Sequence, residues 1–437
     1  MNAPGLINRN RATLKLLFVG AISLAMLIPL FMVRSIIEER QNMRQTAIAT
    51  IDSRWGANQV VGGLLAVQRL PVTVKHDGAV KTRYEWRAQV LPELEISADM
   101  QTEFRYLGIY EVPVYTTAVK ISGRLDWTQI DAQQAEGDMV FWLPLGDVRG
   151  VREISPLKLG GLELPAKPLN LGSKNISGLQ FTLPAAQRSQ AADHYSLELR
   201  LAGSQCLLFL PLADLTRVRL DSDWPHPEFI GQVLPEQRSV SGEGTVANWH
   251  QLGLNRPFGD QWDVNSMASH ELNQAGFGMR LETPVDAYQR SERSVKYGFL
   301  FISLTFFTLF LFEVMTRKPL HPVPYVLTGA ALAVFYLVLL ALSEYLPFGS
   351  SFLVASSLLV LIVTPYTGAV LGGRKRGMWV GAMMSLMYAL LFALVVAQHA
   401  SLLLGSLALL MAIATLMYLT RRVDWYAYGN MPRPTDS

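Results

Sequence analysis

The stretch KYGFLFISLTFFTLFLFEVMTRKPLHPVPYVLTGAALAVFYLVLLALSE, Lys296–Glu344, holds two apolar runs, Tyr297–Met315 and Val323–Leu342, joined by a link carrying Arg317 and Lys318. Each run reaches the roughly 20 residues a helix needs to cross a hydrocarbon core about 30 Å thick, where only a helix or a closed barrel pairs every backbone N–H and C=O. The pattern repeats in Phe352–Val370, Met378–Val396 and Ser401–Leu419, and a further run, Leu16–Val33, opens the chain. The sequence therefore predicts an integral membrane α-helical protein with six transmembrane helices. Residues 1–33 form a cytoplasmic tail and the first helix, and 34–296 a large mostly-β domain inserted between the first and second helices. Residues 297–420 form a bundle of the other five helices, and 421–437 a second cytoplasmic tail.

Leu16–Val33 shares with a secretory signal its preceding positive charge, but it is longer than a signal's apolar core. It meets Arg34 without a clear small-x-small cleavage site, so it reads as a retained anchor. Orientation follows from Lys and Arg in the short connections, which concentrate on the cytoplasmic side. Arg9, Arg11 and Lys15 precede the first span, Arg317 and Lys318 follow the second, Arg374, Lys375 and Arg376 the fourth, and Arg421 and Arg422 the sixth. With six crossings all of these fall on one side, and the opposite short loops hold only Glu344 and His399 as ionisable groups. Both termini are expected inside and residues 34–296 outside, which in a bacterium is the periplasm.

Half of the 437 residues are apolar and the formal charge is only +3, part of it in those loops, so composition does not argue for nucleic acid. Cys206 is the single cysteine, which excludes an intramolecular disulfide and leaves the exported domain to core packing. Arg34–Ile51, free of Gly and Pro, is expected to continue the first helix as a short stalk. Beyond it the period changes to two. Val119 and Ile121 alternate with Lys120 and Ser122, and Leu125 and Trp127 with Arg124 and Asp126; Leu179, Phe181 and Leu183 repeat the pattern. Leu197, Leu199 and Leu201 alternate with Glu198 and Arg200, and Val218 and Leu220 with Arg217 and Arg219. Many short strands punctuated by Gly and Pro favour a sandwich or a related mostly-β module over an α/β enzyme core.

No phosphate loop, His-Glu-x-x-His, paired Cys-x-x-Cys or Gly-x-Ser-x-Gly elbow occurs, and His76, His194, His226, His250 and His270 lack ligand spacing. No cofactor, metal site or catalytic residue is therefore expected. The densest local feature is Trp224-Pro225-His226-Pro227, followed by Phe229 and then Trp249. Two prolines around large side chains suit a contact surface made of Trp224, His226, Phe229 and Trp249, and they equally suit a corner with Trp224 as a core plug, the commoner use of a buried aromatic. In the membrane runs the one ionisable group away from an extracytoplasmic end is Glu313. Its spacing predicts an i,i+4 pair with Arg317, while Glu344 is expected to be wet. Gly329, Ala333, Ser356, Ser357, Gly381, Ser385 and Gly405 read as small residues for close helix packing, and Pro365 as a kink.

Longer strings carry a resemblance. Ser222-Asp223-Trp224-Pro225-His226-Pro227-Glu228-Phe229-Ile230-Gly231 with Leu234-Pro235 and Arg238, and Thr283-Pro284-Val285-Asp286-Ala287-Tyr288 leading to Arg293, Lys296 and Tyr297, resemble the CreD family of bacterial inner-membrane proteins. So do Gly108-Ile109-Tyr110 with Val114-Tyr115, Asp147-Val148-Arg149-Gly150, Leu320-His321-Pro322, Leu342-Ser343-Glu344 and Thr420-Arg421-Arg422-Val423-Asp424-Trp425-Tyr426. Gly62-Gly63 and Gly244-Thr245 depart from the family's Gly-Pro and Gly-aromatic pairs. The resemblance implies a Gram-negative inner-membrane protein linked to envelope integrity and stress tolerance, produced under a sensor kinase and response regulator, with no assigned reaction to transfer. The preferred expectation is a non-enzymatic protein whose periplasmic domain binds an unknown envelope protein, lipid or cell-wall component. A transporter gated by that domain comes second. A membrane hydrolase or transferase comes last, since the sequence offers no compact nucleophile–base pair.

Overall fold

The computed structural model of the chain describes residues 11–76, 79–131, 137–171, 176–264, 274–283, 287–316, 320–397 and 401–421. The chain divides into two compact units, one made of Met1–Arg44 and Val285–Ser437, the other of Gln45–Pro284. The divisions fall at 44/45 and 284/285, within the segment 34–296, and the helices on either side run on past their apolar stretches. Helix α1 (Arg11–Ala25) is followed after Met26 by α2 (Leu27–Trp55), which runs on through the charged stalk. The break at Met26 has a covalent cause: Pro29 has no N–H for the Ala25 carbonyl. Met26 N–H to Ile22 O at 3.0 Å and Leu30 N–H to Met26 O at 3.4 Å carry the turn across it.

In the unit Gln45–Pro284 the period-two segments become strands of two packed layers. The strand Ala79–Leu107 belongs to both. Its first part pairs with Leu65–His76 and Gln261–Asp263; its later part pairs antiparallel with Tyr110–Arg124 and parallel with Ala213–Ser222. Pro92, with no N–H to give a ladder, falls between the Leu91↔Ala213 and Glu93↔Leu215 pairs, where the strand changes layers. The first layer continues from Leu65–His76 to Met139–Leu145, Ile176–Leu183 and Lys167–Leu171. A branch runs from Gln59–Val61, parallel to Cys206–Phe209, and on to Phe277–Leu281 and Pro227–Gly231. The second layer runs Gln237–Ser241, Gly244–Leu252, Ala213–Ser222, the long strand, Tyr110–Arg124 and His194–Ser204, then Val151–Ile154 and Leu157–Leu159, the latter paired with Leu162–Leu164. The chief core lies between the layers. Phe141, Leu143, Phe181, Phe209 and Phe277 from the first meet Ile96, Val119, Ile121, Leu197, Leu199, Val218 and Leu220 from the second. Leu125, expected to extend a strand, is buried just past its end, and Trp127 opens the single-turn helix α3 (Trp127–Asp131).

The other unit contains α4 (Ala287–Thr316), α5 (Pro322–Ser343), α6 (Phe348–Val370), α7 (Arg374–Val396) and α8 (Ser401–Thr420). His321 caps α5, its side chain accepting from Val323 N–H, with Pro322 in the first turn where no N–H is needed. Among the described residues five helices are long and apolar enough to cross a membrane, beginning at Leu17, Ala287, Pro322, Phe348 and Arg374. The sixth expected run folds as the 20-residue α8. Large apolar side chains point outward, among them Leu353, Leu361, Ile362 and Leu386, all more than half exposed, a surface that suits lipid and not water. Inside, Phe306, Phe310, Tyr325, Phe335, Tyr336, Leu339 and Leu391 are buried. Helices α6 and α7 approach so closely that a Cβ on Gly381 would strike Thr364, and one on Gly377 would lie 2.6 Å from the Gly368 Cα. Gly329 likewise faces Phe306 and Met26, whereas Ser357 is exposed and Ser356 bonds the Phe352 carbonyl at 2.7 Å. Pro365 sits within α6 without ending it.

Candidate functional site

Alternation along Gly244–Leu252 sends Thr245, Ala247, Trp249 and Gln251 inward and His250 outward. Trp249 is therefore a core residue, 2% exposed, with its ring 5.8 Å from Phe277 and 5.9 Å from Phe229. Trp224 is 5% exposed, and its indole N–H donates to the His226 carbonyl at 2.9 Å. Its own carbonyl accepts from the Thr245 hydroxyl at 2.8 Å, and Phe104 lies against its ring at 5.7 Å. Phe229 is half-buried beneath Arg238, and His226 is exposed. The four residues expected as a contact surface thus form a corner. The prolines fix the chain so that the large rings turn inward and only His226 and an edge of Phe229 meet solvent.

The same alternation builds an open face on the second layer. Glu95, Ser97 and Asp99 leave the long strand outward, Lys120 and Ser122 leave Tyr110–Arg124, and Arg217 and Arg219 leave Ala213–Ser222. Together with Glu236, Asn248 and His250 they line a groove of about 540 Å³. A second hollow of about 600 Å³ follows along the same strands, lined by Asp99, Asp221, Asp223, Ser239, Ser241 and Glu243. The side chains pair along and across strands: Arg219 with Asp221 of its own strand at 2.9 Å, and, between strands, Lys120 with Glu198 at 3.4 Å and Arg217 with Glu93 at 3.8 Å, while His250 lies 3.8 Å from Glu236. Exposed pairs of this kind add little stability, and they leave both signs available to a ligand. Among the described residues no group of three or more His, Cys, Asp or Glu is placed to hold a metal ion.

The end of α2 is socketed in this unit. Ile48, Ile51 and Trp55 pack on Val112 and Val114, and the Trp55 ring N–H donates to Tyr115 O at 3.3 Å. The guanidinium of Arg105 lies 4.3 Å from that ring and that of Arg152 5.2 Å, while Arg152 also donates to the Trp55 carbonyl at 2.9 Å. Just beyond, the Asp147 carboxylate accepts from the Arg149 side chain at 2.9 Å, from Arg149 N–H at 3.0 Å and from Ala57 N–H at 3.2 Å. Burial works against its ionisation, but these bonds from Arg149 and the backbone outweigh it and hold the carboxyl below its ordinary range. Cys206 is buried nearby with its carbonyl accepting from Tyr115 OH at 2.7 Å, and burial pushes its thiol up to about 11, far from a reactive thiolate.

In the helical unit Glu313 is fully buried and ion-paired with Lys15, whose ammonium also donates to Leu320 O at 2.7 Å. Tyr325 OH donates to the other Glu313 oxygen at 3.0 Å. The pair therefore joins α1 to α4 and α5. Arg317, the expected partner, lies outside the described residues, as do Arg9, Lys318, Arg422, His270 and His399. Glu344 is not wet as expected: its side chain is 11% exposed, 3.5 Å from Arg40 and 3.4 Å from Tyr288 OH, because α2 and α4 bring those groups to the end of α5. No sequence spacing links residues as far apart as Lys15 and Glu313. The groove was in principle readable as the polar half of each alternating strand.

An apolar helical bundle with a large β-rich insertion defines a multi-pass membrane protein. The chain matches the family model for the inner membrane protein CreD across residues 11–426. It is 31% identical to the inner membrane protein CreD of Escherichia coli (strain K12) over 418 residues, 94% of this chain and 92% of that protein. The chain belongs to the CreD family of inner membrane proteins.

Proposed function

We propose that this chain is a non-enzymatic protein of the bacterial inner membrane that supports envelope integrity and tolerance of envelope stress. Its β-rich unit works on the periplasmic side and binds a protein, lipid or cell-wall component of the envelope. The membrane is crossed six times, α8 being the last crossing, and both termini are cytoplasmic; the alternation of cationic loops supports this. The observation that carries the binding role is the groove over Glu95, Lys120, Arg217, Arg219, Glu236 and His250. An open hollow that offers both charge signs and several hydrogen-bonding groups beside Ile96 and Val218 suits a ligand carrying polar or zwitterionic groups on an apolar body. The contact region is thereby moved from the Trp224 corner, whose rings are committed to the core.

Photo-crosslinking in cells tests this. Probes replacing Ser97 and Asn248 should capture a defined envelope component, and a probe at exposed Lys158 should not. Arg217→Glu with Arg219→Glu should lower envelope-stress tolerance at unchanged protein level. Equal capture at all three positions, or an unaltered phenotype, would count against the groove. A transporter would need a mobile carboxylate, whereas both Glu313 oxygens are held by Lys15 and Tyr325, which favours a structural staple.

A further inference from the structure

The hairpin between Ala79–Leu107 and Tyr110–Arg124 ends in a tip that neither the groove nor the Trp224 corner explains. Residues 103–109 are all exposed; Phe104 rests against Trp224, and Tyr106, Leu107 and Ile109 are the large apolar side chains beyond it. Tyr106 is the most open, at 66%. Gly108, at φ +63°, takes the first position of the two-residue turn, where a hairpin needs positive φ, and open space surrounds the place of a Cβ. The polar groups at the tip are occupied with one another. Arg105 bonds Glu103 at 2.7 Å and Tyr106 OH donates to Glu111 at 2.7 Å, leaving rings and aliphatic groups outward.

The direction of the tip follows from the socket. Ser204, registered with Val114, donates to the Gly56 carbonyl at 3.1 Å. One turn earlier on α2, Asp52 accepts from Gln205 at 2.6 Å, and earlier still Ile48 and Ile51 pack on Val112 and Val114. Going back along α2 from Gly56 thus goes back along the strand toward Tyr110 and the turn. Within this unit the tip lies at the end where the chain enters, at Gln45. Only a stretch of about 18 Å of helix, at 1.5 Å per residue, separates Gln45 from Val33, the last residue of the apolar run.

We propose that this tip is a lipid-interface contact: Tyr106, Leu107 and Ile109 enter the headgroup layer of the leaflet from which α2 emerges. Aromatic side chains with a polar end concentrate in that layer, and apolar faces seat themselves roughly 5–10 Å into it. Internal pairing of the nearby charges fits a zwitterionic surface without calling for anionic lipid. The inference rests on the periplasmic topology proposed above, which the test reads separately.

The full-length chain carrying Leu107→Cys and Cys206→Ala would be labelled with an environment-sensitive fluorophore and reconstituted in zwitterionic vesicles. Gln187→Cys, an exposed position on a turn elsewhere in the unit, serves as the control. Headgroup spin-labelled lipid should quench the probe at 107 several-fold more than the probe at 187, with blue-shifted emission at 107. Equal quenching by lipid and by aqueous iodide at the two positions would overturn the proposal. So would a probe at 107 shielded from both quenchers, which would mean a protein occupant. In spheroplasts an impermeant thiol reagent should label Gln187→Cys without permeabilisation. Labelling only after permeabilisation would overturn the topology itself, and external labelling with an aqueous probe at 107 would overturn the tip alone.

Discussion

At the scale of single residues the Trp224 corner and Asp147 carry distinct consequences. Trp224 fills core space beside Phe104, so Trp224→Ala leaves a cavity and removes one of the two donors to the His226 carbonyl, the Glu282 N–H remaining. A loss of about 3–5 kcal/mol is expected for such a truncation, read as a lower unfolding midpoint of the purified protein. His226→Ala, at an exposed side chain, should stay within about 0.5 kcal/mol of the parent. Comparable losses from both would contradict the corner. Asp147 gives the acid limb. Because its folded-state pKa lies below the ordinary 3.8, its contribution is complete above that value and disappears as pH falls through the folded pKa. Stability followed from pH 7 into the acid range below 3.8 should therefore fall, while Asp147→Asn should be weaker at pH 7 and less sensitive to that fall. A parent and variant with parallel acid profiles would remove Asp147 from the account.

At the scale of elements, legibility depended on whether a signal was local. The apolar runs and the alternation in 119–122, 179–183, 197–201 and 217–220 show themselves within a few residues, and each became a helix or a strand. Ala79–Leu107 did not, because Pro92 reads as an interruption when only the local pattern is weighed, yet it serves as the point where one strand changes layers. The Trp224 cluster is dense in sequence, but a proline-flanked aromatic does not disclose which side of a sheet it faces until its neighbours' register is known. Lys15 and Glu313 lie furthest from legibility, since their pairing depends on how α1 meets α4. That pairing predicts an asymmetry. Glu313→Gln strands the Lys15 ammonium at the staple, with an expected cost of about 3–5 kcal/mol for breaking a buried ion pair from one side. Adding Lys15→Met should recover much of it, because the stranded charge is gone. Thermal unfolding in nanodiscs would report the difference, and a double variant no more stable than Glu313→Gln would show that the pair is not the unit of energy.

At the scale of the whole molecule, two compact units share one chain that passes between them twice, once along α2 and once before α4. Inside the β-rich unit the socket around Trp55 holds the last turns of α2 through cation–ring contacts, hydrogen bonds and apolar packing. The proposed topology puts that unit and the cationic loops on opposite sides of the bilayer. The loop before α7 is the sharpest indicator, with Arg374, Lys375 and Arg376 in its first turn, where they do not complement the positive end of the helix dipole and so are better explained by topology than by capping. Insertion fusions make the expectation concrete. A reporter active only after export should work when placed at Gln187 and fail when placed at Arg376, while a cytoplasmic reporter should give the reverse. Export-dependent activity at Arg376 would require an odd number of crossings between the two positions to be revised, and loss of it at Gln187 would put the groove and the hairpin tip on the wrong side for any role at the periplasmic face.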